Sequence, residues 1–419
     1  MKEKSAASSL LKSGILFSAI SFITSLGHFG FQAILGRYLN KQGDFGGANS
    51  VVNAFMPLLG LVPATATFAV THYIAHYNTC GDHARLQGLL LGCRRFLLRF
   101  TIAGSVLALV AIHPLSQFFK YSDSLMVVTL GCTLFGLWGS FATALCQGMG
   151  WFQRLALIGF VAMLLRVGFG WLLLQKWPVQ ETVVLATGAA VLANLAVLLW
   201  RKELSLKGEP VSPWNREFVW FFMVSAAFVV GNYCFFQSDV LVAQRNFVGV
   251  EKDAYMAAGV LARAVLMSVA PMLVVLFTSR SGQRSGHVVG DQLKLLGLTA
   301  FGFVAGAAGL IVLRGLCLRI LHKDSPEAAA MIVPYAVTMI FVGLLQSLAY
   351  WALASRWAKV SFLYGALGLI YVPLLFWFGK TPSQLLHTMV VAAGATFVIV
   401  LATWLVSLKR HHPPATAQS

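Results

Sequence analysis

Three charged residues stand where hydrocarbon is expected. Asp239 and Arg263 lie in two successive apolar runs joined by a short polar turn, and Arg166 follows Met-Leu-Leu in an earlier run. A charge at the centre of a membrane helix costs roughly 2.5–3.5 kcal/mol on the insertion scale, so a functional role is the default expectation for each. Asp239 is the only one of the 14 acidic residues that falls well inside an apolar segment. Two chemistries suit it. It is either the counter-ion of Arg263 on the next helix, or of Arg245 less than two turns further along its own, or it is the site of a coupling Na⁺ or proton. Asn232, seven residues earlier, shares its helix face in either case. Arg166 has no acidic neighbour in sequence, and an unpaired intramembrane cation is harder to explain by packing alone.

Other polar residues recur at helical spacing. In the first apolar run Ser18, Ser21, Ser25, His28 and Gln32 are three or four residues apart and fall on one face. Asn49, Asn53, Gly60 and Thr67 line up in the second run, which Pro57 and Pro63 interrupt. Ser225, Asn232 and Asp239 recur every seven residues, and Tyr255, Gly259 and Arg263 every four. Serine, threonine and glycine faces also serve helix packing, and His28 can simply bond a carbonyl. The combination of serines with a histidine and a glutamine favours a cavity for the first run.

The elements that position these residues are membrane helices. With 58% hydrophobic and 11% charged residues and a mean hydropathy of +0.76, the chain does not suit a water-exposed globule. Apolar runs long enough to span a bilayer recur about twelve times, joined by short loops. They include Gly14–Leu35, Leu155–Leu174, Phe218–Gln244 and Ala254–Phe277 as the first, fifth, seventh and eighth. The first run is too long for a secretory leader and is expected to remain as a helix. The longest polar connection, with two prolines, falls at the midpoint. The expected fold is therefore an all-α polytopic membrane protein of two six-helix bundles facing one another in a V. The halves are residues 1–201 and 216–419, with 202–215 as a linker and a short tail at the end.

A net charge of +17 would suggest nucleic acid in a soluble protein, but here the distribution points to topology. Basic residues are roughly twice as frequent on the N-terminal side of the membrane as on the other, which places both termini in the cytoplasm of a cell inner (plasma) membrane. Arg94, Arg95 and Arg99 are expected to snorkel toward anionic lipid headgroups. The six cysteines are scattered, with no ligand spacing, so no metal and no cofactor is expected. No catalytic dyad or nucleotide loop is visible, which argues against an enzyme.

The Asp239–Arg263 region resembles the seventh and eighth helices of the multidrug/oligosaccharidyl-lipid/polysaccharide exporter superfamily, in its polysaccharide (O-antigen/capsule) branch. The residues that carry the likeness are Asp239, Leu241, Val242, Tyr255, Ala258, Gly259, Leu261 and Arg263. Arg37, Phe45 and Gly46 are similar to the family's first outer loop. Leu145, Gln147, Gly148, Phe152 and Arg166 are similar to its turn into an arginine-containing fifth helix. His72 departs from the pattern, standing where the family has an arginine. The ending after about twelve spans, two fewer than lipid II flippases, favours the repeat-unit flippase type.

The resemblance implies translocation of an undecaprenyl-pyrophosphate-linked oligosaccharide between leaflets by alternating access. A polysaccharide polymerase and glycosyltransferases would be neighbours in that pathway, and Na⁺ or H⁺ a coupling ion. Residues expected at the substrate are Arg37, Arg166, Arg263, His28, Gln32 and Asn53, with Asp239 and Asn232 as charge partner or ion site. The alternative is a multidrug antiporter for organic cations. Such a binder wants several intramembrane carboxylates, and only Asp239 is available.

Overall fold

The computed structural model describes residues 20, 23–195, 216–282 and 289–411. Ser18 and Ser21 of the first polar stripe and the 202–215 linker lie outside them.

Pro57 and Pro63 shape the second span. Neither has an N–H to donate to the carbonyl four residues back, so the ladder is interrupted twice within two turns. The span is accordingly broken at Gly60 into α2 (Asp44–Leu59) and α3 (Leu61–Cys80), bent by 59°. Within α2, residues Val51–Phe55 form a wider π-turn, and this turn carries Asn53. Helix α1 (residues 23–38) precedes the break. The first half continues with α4 (His83–Phe119), α5 (Asp123–Gly148), α6 (Phe152–Leu174) and α7 (Gln180–Leu195). The second half holds α8 (Arg216–Asn246), α9 (Gly249–Gly282), α10 (Val289–Ile320), α11 (Pro326–Ala354), α12 (Ala358–Phe378) and α13 (Pro382–His411).

Among the described residues seven helices are long and apolar enough to cross a membrane, and nine if each of two bent pairs counts as one span. Helices α1, α7 and α9 stand at the places of the first, sixth and eighth expected spans. Their large apolar side chains divide as the patterning requires. Phe228, Phe235, Tyr335 and Tyr364 are buried between helices, whereas Phe301, Val312, Trp377 and Leu369 stand on the outside, where lipid would cover them.

The most extensive helix packing lies within each half: α6 on α7 and α5 on α7 and α3, then α8 on α12, α9 on α11 and α11 on α13. Among the described residues the chain is thus all-helical and built as two bundles. Small residues permit the closest approach. A Cβ on Gly365 of α12 would lie 2.6 Å from the Ala227 carbonyl of α8, so only glycine lets those backbones touch. The bundles meet along α3–α8, α2–α9 and α3–α9.

Candidate functional site

Between the bundles lies a cavity of about 500 Å³. Helix α1 contributes Thr24, Ser25, His28, Phe29 and Gln32, and the π-turn of α2 contributes Asn53. Arg166 enters from α6, Phe236 and Gln237 from α8, and Arg263 from α9. Five of the six residues expected at the substrate therefore line one space. Arg37 does not. It is exposed at the end of α1, beside the Tyr38 ring, because the helix carries it a full turn past the cavity. Arg245 is likewise exposed, stacked at 4.4 Å over the Phe118 ring.

Asp239 and Arg263 form a buried ion pair. Arg263 Nη2 donates to both carboxylate oxygens at 2.7 Å, and its Nε donates to the Phe236 carbonyl at 3.0 Å. Two phenols complete the shell. Tyr255 donates to Asp239 Oδ2 at 2.8 Å, and Tyr335 of α11 donates to the same oxygen. Asp239 is only 1% exposed and does not line the cavity. Its carboxylate thus receives four hydrogen bonds from protein groups and is the counter-ion of Arg263. Of the two guanidinium candidates, Arg245 makes no such contact.

The seven-residue stripe of α8 faces the interior of the second bundle and not the cavity. Asn232 accepts a hydrogen bond from Gln346 Nε2 of α11 at 2.9 Å, and Ser225 is fully buried. The reason is that α8 turns this face to α11 and α12, leaving the neighbouring Phe236 and Gln237 for the cavity. Thr67 of the α2–α3 stripe also lies elsewhere, donating to the Pro63 carbonyl at 2.9 Å beside a second hollow between α3, α5 and α7.

Arg166 has a different environment. Its guanidinium stacks over the Phe31 ring of α1 at 4.5 Å, a cation–π contact. Phe31 is held there because Gly170, one turn along α6, has no side chain: a Cβ would lie 2.3 Å from the ring. Arg166 Nε and Nη2 are buried and have no hydrogen-bond partner among the described residues. The same is true of His28 Nδ1 and Gln32 Oε1 on the facing wall. Buried polar groups are normally satisfied, so this cluster keeps hydrogen-bonding capacity for water or a ligand.

Two polar contacts join the bundles outside the cavity lining. At one rim the N-terminus of α2 has Gly43, with φ 90°, as its cap residue and no side chain of its own to cap it. Asp253 of α9 caps it instead. It accepts from Gly46 N–H at 2.7 Å and Gly43 N–H at 3.1 Å, with Lys323 Nζ at 3.7 Å. At the opposite rim Arg356, in the α11–α12 turn, reaches His72 of α3, with Nη2 at 2.8 Å and Nε at 3.2 Å from Nε2. Glu217 of α8 pairs with the same guanidinium.

Sequence patterning missed Tyr335, Asp253 and Arg356. Asp253 reads as loop because it stands beside Glu251 and Lys252 at the start of α9, and Arg356 reads only as one more basic loop residue.

No family model and no curated protein matches the chain. Solved structures do. A multidrug resistance MATE family transporter of the MOP superfamily, in an outward-facing conformation, is 12% identical with a TM-score of 0.69, over 95% of this chain and 96% of that one. The lipid II flippase MurJ, in an inward closed conformation, is 13% identical with a TM-score of 0.65, over 93% of this chain and 87% of that one. A MOP superfamily transporter from Pyrococcus furiosus, described as having a binding pocket of reverse polarity, is 11% identical with a TM-score of 0.59. That match covers 94% of this chain and 95% of that one. Two helical bundles around a cavity, in a chain of this helix order, are the fold that this chain shares with these solved transporters.

Proposed function

We propose that the chain is a flippase that moves an undecaprenyl-pyrophosphate-linked oligosaccharide from the inner to the outer leaflet of the plasma membrane by alternating access. The observation that carries this is Arg166: a buried guanidinium in the cavity wall with two N–H-bearing nitrogens unpartnered among the described residues. Arg263 is neutralised by Asp239, so among the described residues the cavity presents one uncompensated permanent cation and no free carboxylate. Phosphate oxygens would take the Arg166 fork. Ser25, Gln32, Asn53 and Gln237 suit sugar hydroxyls, and the lipid tail would stay in the bilayer. An organic-cation antiporter would need a carboxylate facing the cavity, and Asp239 is turned away and saturated.

On the same reading, residues 1–201 and 216–419 are the rocking halves. Both termini are cytoplasmic, and the exposed Arg94, Arg95 and Arg99 of α4 bind anionic headgroups. The α2 rim is then outer and the His72 rim inner. A polymerase and glycosyltransferases would act after and before the transfer.

The test is complementation of a flippase-null strain, with membrane levels measured in parallel. Arg166→Gln is expected to abolish surface glycan at normal protein level, and Arg166→Lys to restore part of it, because an ammonium lacks the bidentate fork. Full complementation by Arg166→Gln would remove the phosphate role.

A further inference from the structure

The two contacts that join the bundles differ in chemistry. At the α2 rim Asp253 meets two backbone N–H groups and an ammonium. At the opposite rim the acceptor is a single neutral imidazole nitrogen. His72 Nε2 takes hydrogen bonds from both Nε and Nη2 of Arg356, so in this state Nε2 carries no proton and the ring hydrogen must be on Nδ1. The imidazole is 3% exposed and held in plane by Phe221 of α8, stacked with ring centroids 4.3 Å apart. Its Nδ1 is buried with no partner among the described residues. The charged and titratable groups around it are Arg356 from the α11–α12 turn, Glu217 of α8 behind that guanidinium, and Tyr73 and His76 on its own helix. No carboxylate bonds the ring itself among the described residues.

We propose that the His72–Arg356 contact is a proton-operated latch between the bundles. A proton on Nε2 removes the lone pair that both guanidinium nitrogens use, and it places a second positive charge against Arg356. Glu217 then draws Arg356 away toward α8, and the α3 face separates from the α11–α12 turn. The Asp253 contact at the α2 rim is made to two backbone N–H groups and Lys323, with no histidine among those partners. A proton therefore selects which end of the cavity opens. This holds whether the cargo is a lipid-linked glycan or another molecule, because neither His72 nor Arg356 lines the cavity.

The experiment uses the full chain in lipid nanodiscs, with spin labels attached through an unnatural amino acid at Thr79 and Lys359. Both positions are exposed and lie at the latch rim on opposite bundles. Distances are read between about pH 8 and about pH 5, the range over which a histidine titrates. In the wild type the population with separated labels is expected to rise about tenfold or more on acidification, the factor carried by one charged hydrogen bond. His72→Gln, whose amide oxygen accepts from Arg356 without titrating, is expected to stay closed throughout. Arg356→Gln, on an exposed turn, is expected to be separated at both ends of the range. A wild type that does not respond, or a His72→Gln or Arg356→Gln variant that responds as the wild type does, would overturn the latch.

Discussion

Replacing Asp239 with asparagine separates two roles that intramembrane carboxylates play. The carboxylate accepts two hydrogen bonds from Arg263 Nη2 and one from each of Tyr255 and Tyr335. An amide keeps one acceptor oxygen and turns an NH₂ group toward the same donors. At least one phenol or the guanidinium then faces a donor, and Arg263 keeps its charge with no counter-ion. The pair is buried, with side chains 8% and 1% exposed. Breaking such a pair from one side costs about 3–5 kcal/mol, which lowers the folding equilibrium constant by about a hundredfold to a few thousandfold. The second substitution reverses the sign: Asp239→Asn with Arg263→Gln removes both charges and should be more stable than Asp239→Asn alone. The assay is denaturant unfolding in detergent for the four members of the cycle, with gradient-driven transport measured beside it. If Asp239→Asn unfolds at the wild-type midpoint but no longer responds to an ion gradient, Asp239 is a coupling site and the ion-pair account fails.

Further outcomes follow from the packing. Gly259→Ala puts a Cβ 2.7 Å from Arg263 Nη1 and 2.9 Å from the Tyr335 hydroxyl, so it should destabilise by about 1–3 kcal/mol; unchanged thermal unfolding would show that the pair has room to shift. Asp253→Ala removes the cap on α2, at a cost of about 0.5–2 kcal/mol, and should lengthen the distance between labels at the exposed Lys41 and Glu251. An unchanged distance distribution would show that this rim is held by other contacts.

Much of the helical architecture was readable in the sequence because hydropathy and charge act locally. The eighth span, expected over Ala254–Phe277, is the apolar part of α9, and Pro57 and Pro63 gave the break in the second. The convergence of His28, Gln32, Asn53, Arg166 and Arg263 on one cavity also followed from their types and depths. Partners distant in the chain were not readable. Periodicity says which residues share a face, but not which helix covers it. The Asn232–Asp239 face therefore looked like cavity lining although α11 and α12 bury it. Tyr335 lies 96 residues from Asp239, and Arg356 lies 284 from His72. Arg37 shows the limit of charge alone, since only its position past the end of the cavity separates it from Arg166.

The most direct test of the central claim is translocation by purified protein in liposomes carrying a fluorescent polyprenyl-pyrophosphate oligosaccharide. Exposure of the glycan to an added enzyme reports each transfer. The account predicts that wild-type protein speeds exposure well above that of empty liposomes. Arg166→Gln, folded and inserted at equal density, should fall to the empty-liposome rate. In the same liposomes a cationic dye should not be moved by an imposed Na⁺ or H⁺ gradient. Gradient-driven transport of the dye, with no transfer of the glycolipid, would contradict it.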